Sequence, residues 1–463
     1  MPSNLPCQVY ATKDYEDSFV IPKKVLTWVS IELTHDLSDF HSKCWSLFYW
    51  FEVLNVSLAI PSEFIAMVVT AMTACTLQDS IEVFRMMPCF GSCVLAIIKS
   101  VKIKVNRAVF ENLFYELRDM WPRGEVTEEE HRIIGTALKQ LNFIVKSYHW
   151  CNSALLISFL TPPYFISLSR YLGYNAPMLL HFEYWLPFDP FQPIIFEIML
   201  VMQTWHAMVV IWWNTTWDML FCTYMAHITM QFDLLANRIR QLIYVSVDKQ
   251  LVATYPLATI SNQFVEENKE ILNSFTARDW ELKHQRELID IVKRHHALIR
   301  LAADVESMFS FALLINFMYS SIIICFCGFC SVLVEKWNEV AYKSFLVTAL
   351  SQTWLLCWYG QKLFDSSRGI SSALFECGWY NVPKRIRSSV LIMLQRAQKG
   401  VHVTTYGFST ISLASFSTKF AKTSEAFLAL DPWHLFFFKF CENKKYVAKE
   451  SLKTNFSVHK ALT

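Results

Sequence analysis

Apolar stretches of about twenty residues recur along this chain and restrict its architecture more than any motif does. Lipid offers a backbone amide no hydrogen-bond partner, so a segment crossing about 30 Å of hydrocarbon must satisfy its own amides, as a helix of about 20 residues does. Such segments are expected at residues 45–70, 81–103, 143–169, 194–222, 308–334, 340–358 and 406–430. The fifth, with FALLINFMYSSIIICFCGFCSVLV, is uninterrupted, whereas Glu52 and Glu63 break the first, Arg85 and Pro88 the second, and Lys419 and Lys422 the seventh. The expected fold class is therefore all-α, a polytopic membrane protein with seven transmembrane helices.

Composition agrees and removes other classes. Charged residues make up 18% of the chain, against roughly 25% in soluble proteins. The 42 basic and 40 acidic residues nearly cancel, to a net charge of +2, which argues against a nucleic-acid partner, whose counterions a basic excess must displace. Most of the 13 cysteines lie in apolar stretches and read as small hydrophobes rather than a disulfide framework. Residues 1–43 carry no apolar core followed by a small-residue cleavage site, so membrane entry is expected through an internal helix.

Lys and Arg in the flanking segments set the orientation. They gather after the second span (Lys99, Lys102, Lys104, Arg107), after the fourth (Arg238, Arg240, Lys293, Arg294) and after the sixth (Lys362, Arg368, Lys384, Arg385), while residues 71–80 and 171–192 hold no Lys. The N-terminus is then cytoplasmic and the C-terminus extracellular, the reverse of a G-protein-coupled receptor. Apolar residues at three and four spacing continue through residues 226–243 and 282–308, so helices are expected to protrude past the bilayer as a cytoplasmic subdomain. Residues 247–261 have no clear period and are expected as a loop.

No phosphate-binding loop, nucleophile elbow or paired metal-ligating histidines occur, so the chain reads as no enzyme, with no catalytic residue, cofactor or metal site. Cys325, Cys327 and Cys330 have near-metal spacing, but a two-residue step lies on different helix faces and no His is near. His295 and His296 with Asp290 read as a solvated cytoplasmic face. Gln203, His206, Asn214 and Asp218 in the fourth span are costly in lipid; they either serve function or join helix to helix. In the first span Glu52 and Glu63 are expected near the two interfaces. Phe84, Met87, Phe90, Phe159, Met202, Trp205, Leu350 and Trp354, in the outer halves of spans two, three, four and six, suit a shared apolar small-molecule cavity. In the seventh, Ser409, Ser412, Lys419 and Thr423 recur at helical spacing with Phe416 and Leu430 on the same stripe, as a helix lining a water path requires.

Three runs then carry a resemblance: Trp354-Leu355-Leu356-Cys357-Trp358-Tyr359-Gly360, Ala373-Leu374-Phe375-Glu376-Cys377-Gly378-Trp379-Tyr380, and Leu391 to Lys399 with its continuation from Tyr406 to Ser424. This C-terminal part resembles the signature of insect odorant receptors, and Tyr184-Trp185-Leu186-Pro187-Phe188-Asp189-Pro190 is similar to the moth pheromone-receptor subgroup. The resemblance implies an odorant- or pheromone-gated, non-selective cation channel in the plasma membrane of an olfactory sensory neuron, assembled with the family's shared odorant receptor co-receptor, as a tetramer. It implies one seventh span per subunit around the pore, with Ser412, Phe416, Lys419, Thr423 and Leu430 along it and the narrowing at Leu430. It also implies an apolar volatile ligand in the outer half of the bundle, and a cytoplasmic anchor where subunits meet.

The expected organisation is a cytoplasmic segment at 1–44, a seven-span domain at 45–430 with the anchor at about 223–307 and 359–405, and an atypical extracellular tail at 431–463. That tail departs from the family pattern: Pro432 disturbs the helix after Leu430, and several lysines stand on the outer side. Two alternatives remain, a gustatory-type receptor channel and a polytopic small-molecule transporter. The first calls for more hydrogen-bonding groups around the ligand, the second for paired midplane acids and matched broken helices.

Overall fold

Long helices account for almost all of the computed structural model, which describes residues 9–31, 39–73, 77–174, 177–242, 277–333, 339–381, 384–419 and 421–422. In chain order these are β1 (Val9–Tyr10), α1 (Thr12–Ser18), α2 (Val20–Trp28), α3 (Asp39–Thr73), α4 (Leu77–Val105), α5 (Arg107–Asp119), β2 (Gly124–Glu125), α6 (Glu128–Tyr171), α7 (Pro193–Leu242), α8 (Ala277–Leu333), α9 (Glu339–Glu376), a 3₁₀ turn (Trp379–Asn381) and α10 (Lys384–Gln398). The two short strands pair antiparallel. Among the described residues, five helices are long and apolar enough to cross a membrane: α3, α4, α6, α7 and α8. The sixth expected span falls on α9, whose 38 residues also reach beyond a bilayer. The seventh begins as helix only at residue 413, after a bridge between Thr404 and Thr410 and a turn in which Tyr406 and Gly407 take positive φ of 51° and 79°. Thr423, Leu430, the 431–463 tail and the expected 247–261 loop lie outside the described residues.

Several helices outrun the hydrocarbon. α7 has 50 residues, so at 1.5 Å each it extends about 75 Å, more than twice the apolar thickness. α6 starts well before its span, and the start is encoded locally: Thr127 Oγ1 accepts from the Glu130 amide at 3.3 Å while Glu130 returns a carboxylate oxygen to the Thr127 amide at 3.1 Å, a reciprocal cap that satisfies two otherwise orphaned donors. Prolines inside α3 (Pro61), α4 (Pro88) and α6 (Pro162, Pro163) do not end their helices. In α4 the Tyr319 hydroxyl donates to the carbonyl of Pro88, an example of neighbouring helices satisfying polar groups within a bundle.

α7 is the axis of the molecule. From Thr215 to Leu235 nearly every residue is buried, as expected of a helix apolar all round. α4, α6, α8 and α9 pack on it. Its lower half meets α5, α10 and the lower parts of α8 and α9 in one continuous core that includes Phe110, Phe232, Leu298 and Met393. The protruding helical subdomain expected from residues 226–243 and 282–308 is thus a packed body, and His295 belongs to its interior, edge-on to Phe232 at 6.3 Å, rather than to a solvated face. The polar N-terminal segment joins the same body: Tyr15 and Phe19 are fully buried, the Tyr15 hydroxyl donates to the Phe114 carbonyl at 2.9 Å, and Ser18 Oγ lies 2.8 Å from His227 Nε2. At Gly360 the start of the last segment crosses α9 so closely that a Cβ would sit 2.4 Å from the Ile411 carbonyl oxygen, which leaves glycine as the residue that fits.

Candidate ligand cavity

The inner faces of α4, α6, α7, α8 and α9 line a cavity whose wall is mostly apolar, with Phe159, Ala207, Val210, Ile211 and Phe345 among its lining. A second chamber lies toward the segment that joins α6 to α7 and is walled by Pro162, Leu180, His181, Phe182 and Glu63. Cys89, Phe159, Phe182 and Phe345 line both, so the chambers adjoin through an aromatic partition. Phe159 and Phe182 stand 5.3 Å apart, and Phe159 meets Phe345 edge-on at 6.1 Å.

The connecting segment is fastened over the upper chamber by polar residues of α7. Gln203 holds Phe182 at both ends, accepting from its amide and donating to its carbonyl at 3.0 Å each. Ser62 of α3 pairs in the same way with Trp185. The four costly polar residues of the fourth span all find partners on other elements: Gln203 on this segment, His206 beside Cys93 of α4 at 3.2 Å, Asn214 donating to the Ser92 carbonyl at 3.0 Å, and Asp218 with Lys99. Each of these side chains therefore joins α7 to a neighbouring element, and Asn214 also lines the cavity.

At the floor of the first chamber Asp218 gathers three donors from three helices. Lys99 Nζ donates to its oxygens at 3.0 and 3.2 Å, the Tyr148 hydroxyl at 2.9 Å and Gln352 Nε2 at 2.5 Å. Lys99 and Asp218 are both fully buried, and Tyr148 and Gln352 line the chamber. Lys99, which reads in sequence as part of a basic cytoplasmic flank, instead belongs inside the bundle.

Of the residues expected around a ligand, Phe159 lines the cavity. Met87, Phe90 and Leu350 are half-buried off its lining, Met202, Trp205 and Trp354 are exposed on the bundle's outer surface, and the Phe84 side chain lies outside the described residues. Helical phase is the reason. The cavity face of α7 is 207, 210, 211 and 214; Trp205 precedes Ala207 by two residues, about 200° around the helix. Trp354 stands in the same relation to Gln352 on α9. Small residues such as Ala207 and Ala349, which leave room, mark the cavity instead.

Of the expected pore stripe, Ser412 and Lys419 line an open groove between α8 and the last segment, with Phe317, Met318 and Thr418. Lys419 Nζ reaches Ser320 Oγ of α8 at 2.5 Å and lies 4.3 Å from the centre of the Phe317 ring. Phe416 packs against the main core.

His181 sits in the connecting segment, outside the spanning helices, with Nε2 3.1 Å from Thr204 Oγ1. Burial pushes its pKa down to about 4. Freed into water the imidazole would titrate near its ordinary value of about 6.5. Above that pH neither state binds a proton and packing is at full strength; below it only the freed segment does, so packing weakens as pH falls from about 6.5 toward 4, by about 1 kcal/mol per pH unit. Lowering the pH from about 7.4 to about 5.5 should therefore loosen the connecting segment reversibly, read as faster amide hydrogen exchange there, and His181→Gln should abolish that change. Unchanged exchange in wild type, or an equal increase in the variant, would refute this.

Residues 79–421 match the family model of the 7tm Odorant receptor. The chain is similar to Drosophila melanogaster Odorant receptor 85c, at 25% identity over 87% of this chain and 95% of that one, and to Odorant receptor 85b, at 26% over 76% and 81%. A shorter stretch is 26% identical to the Aedes aegypti Odorant receptor coreceptor, over 30% of each chain. In fold it is similar to the olfactory receptor OR5 from Machilis hrabei, with a TM-score of 0.71 over 90% of this chain and 98% of that one at 15% identity, and to the same receptor in complex with eugenol, with a TM-score of 0.70. With an apolar two-chamber cavity inside a helical membrane bundle and a family match over most of its length, the chain belongs to the seven-transmembrane odorant receptor family and is an olfactory receptor subunit.

Proposed function

We propose that this subunit is gated by an apolar volatile that occupies the two-chamber cavity between α4, α6, α7, α8 and α9, and that it conducts cations together with the odorant receptor co-receptor. The observation that carries the reading is the cavity: it lies between five helices, its wall is mostly aromatic and aliphatic, and a small number of polar side chains face into it. The eugenol complex of the structurally similar Machilis receptor supports a ligand of this character. Gating then follows from differential binding, since a ligand opens the channel only by binding the open state more tightly than the closed one.

In this reading the N-terminus is cytoplasmic, the cavity lies in the outer half of the bundle, and the packed body of α5, α10 and the lower parts of α7, α8 and α9 is the anchor through which subunits meet. The assembly is a tetramer in the plasma membrane of an olfactory sensory neuron, with the last helix of each subunit toward the pore, Lys419 and Ser412 on its wall and Leu430 at its narrowing. The resemblance of residues 184–190 to the moth pheromone-receptor subgroup supports an apolar ligand. The predominance of apolar over polar surface in the chamber walls favours this over a gustatory-type receptor.

Expression with the co-receptor in a cell without other chemoreceptors tests the proposal. A panel of apolar volatiles should evoke cation currents that require both chains. Currents from this chain alone of equal size would remove the co-receptor from the account. A panel extended to long-chain alcohols, aldehydes and acetates that evokes nothing from well-expressed pairs would remove the ligand class.

A further inference from the structure

Glu63 of α3, Cys93 of α4 and His206 of α7 come together from positions far apart in sequence, all three buried, with one donor atom of each within 4.8 Å of the others. Cys93 Sγ is 3.2 Å from His206 Nε2 and 4.0 Å from Glu63 Oε1. Two atoms of the group have no hydrogen-bond partner among the described residues, Glu63 Oε2 and His206 Nδ1, although Glu63 is only 5% exposed and His206 2%. A carboxylate so placed carries a large desolvation cost unless a cation or a proton offsets it. Among the described residues no Lys or Arg side chain forms an ion pair with it.

We propose that Glu63, Cys93 and His206 form a site for a borderline divalent metal ion, with Zn²⁺ the best fit. One thiolate, one imidazole and one carboxylate are the donor types that zinc takes, at about 2.3, 2.0 and 2.1 Å. Tetrahedral bonds of those lengths set the donors about 3.5 Å apart, so side-chain rotations that move donor atoms by about an ångström complete the set. Calcium and magnesium, which require oxygen donors, do not fit. Binding releases the Cys93 proton to solvent and leaves one coordination position open. Glu63 forms part of the wall of the upper chamber, which supplies the approach. The aromatic rings of Phe182, 5.0 Å from His206, and Tyr184, 6.3 Å away, close the side toward the connecting segment. Because His206 Nδ1 has no acceptor among the described residues to fix the ring, affinity is expected in the micromolar class rather than that of closed structural sites.

The test uses the full-length chain in lipid nanodiscs with Zn²⁺ or Co²⁺ as the probe. Wild type should bind one ion per chain more tightly than Cys93→Ser or His206→Ala, by at least about tenfold. Its Co²⁺ form should show thiolate-to-metal charge-transfer absorption that Cys93→Ser lacks. Glu63→Gln, which preserves shape, should weaken binding while keeping the thiolate band, and it separates loss of a ligand from loss of fold. Wild-type Zn²⁺ binding no tighter than that of Cys93→Ser, or a Co²⁺ spectrum without the thiolate band, would overturn the site and leave a hydrogen-bonded triad within the bundle.

Discussion

Asp218→Ala is expected to keep most of the receptor from the cell surface. The substitution leaves Lys99 fully buried with no countercharge and strips Tyr148 and Gln352 of their acceptor. Breaking a buried pair from one side typically costs about 3–5 kcal/mol, because the remaining charge stays in a poor solvent. Stability of this order is a large part of what a membrane bundle has to lose. Asp218→Asn should be intermediate, since its amide oxygen still accepts from Tyr148. Combining it with Lys99→Met, which removes both charges, should restore most surface delivery. Surface biotinylation together with thermal melting in detergent reads the series. If Asp218→Ala reaches the surface and melts like wild type, the four-residue cluster is not what ties α4, α6, α7 and α9 together beneath the cavity.

That cluster joins four helices that lie far apart in sequence, and no spacing in the chain announces it. Helix positions were legible because spans need about 20 apolar residues, and the protruding parts of α7 and α8 because their apolar stripes continue past that length. The facing of side chains within the membrane was not. In water a buried face and an exposed face differ in polarity, but lipid and a bundle interior are both apolar, so Trp205 and Ala207 carry no contrast by which to tell outside from inside. Lys99 looked like the first of a run of flanking cations, and only the fold pairs it with Asp218. Glu63 was expected near an interface, and its neighbours Cys93 and His206 come from helices that sequence spacing does not connect. The expected cytoplasmic N-terminal segment carried no signal of where it packs, and Tyr15, Phe19 and Leu26 seat it on α5 and α7.

The second large effect concerns the cavity itself. Ala207 is buried, lies on the wall of the first chamber beside Val210 and Ile211, and has no side chain beyond Cβ. Ala207→Trp projects an indole into that space, so a ligand must give up contacts or be excluded. Losing even about 3 kcal/mol of ligand contact raises the half-maximal concentration by more than about a hundredfold. Trp205→Ala, on the exposed face two residues earlier, should leave ligand responses within about threefold of wild type, because it removes a ring that meets Phe48 and the bundle's surroundings rather than the ligand.

The ligand-evoked current of these two variants, co-expressed with the co-receptor and matched for surface level, bears most directly on the claim that the first chamber is where the odorant acts. The account predicts that Ala207→Trp silences or strongly right-shifts the response while Trp205→Ala preserves it. Full responses in Ala207→Trp, or their loss in Trp205→Ala at equal surface expression, would contradict it and move the ligand to the outer face of the bundle.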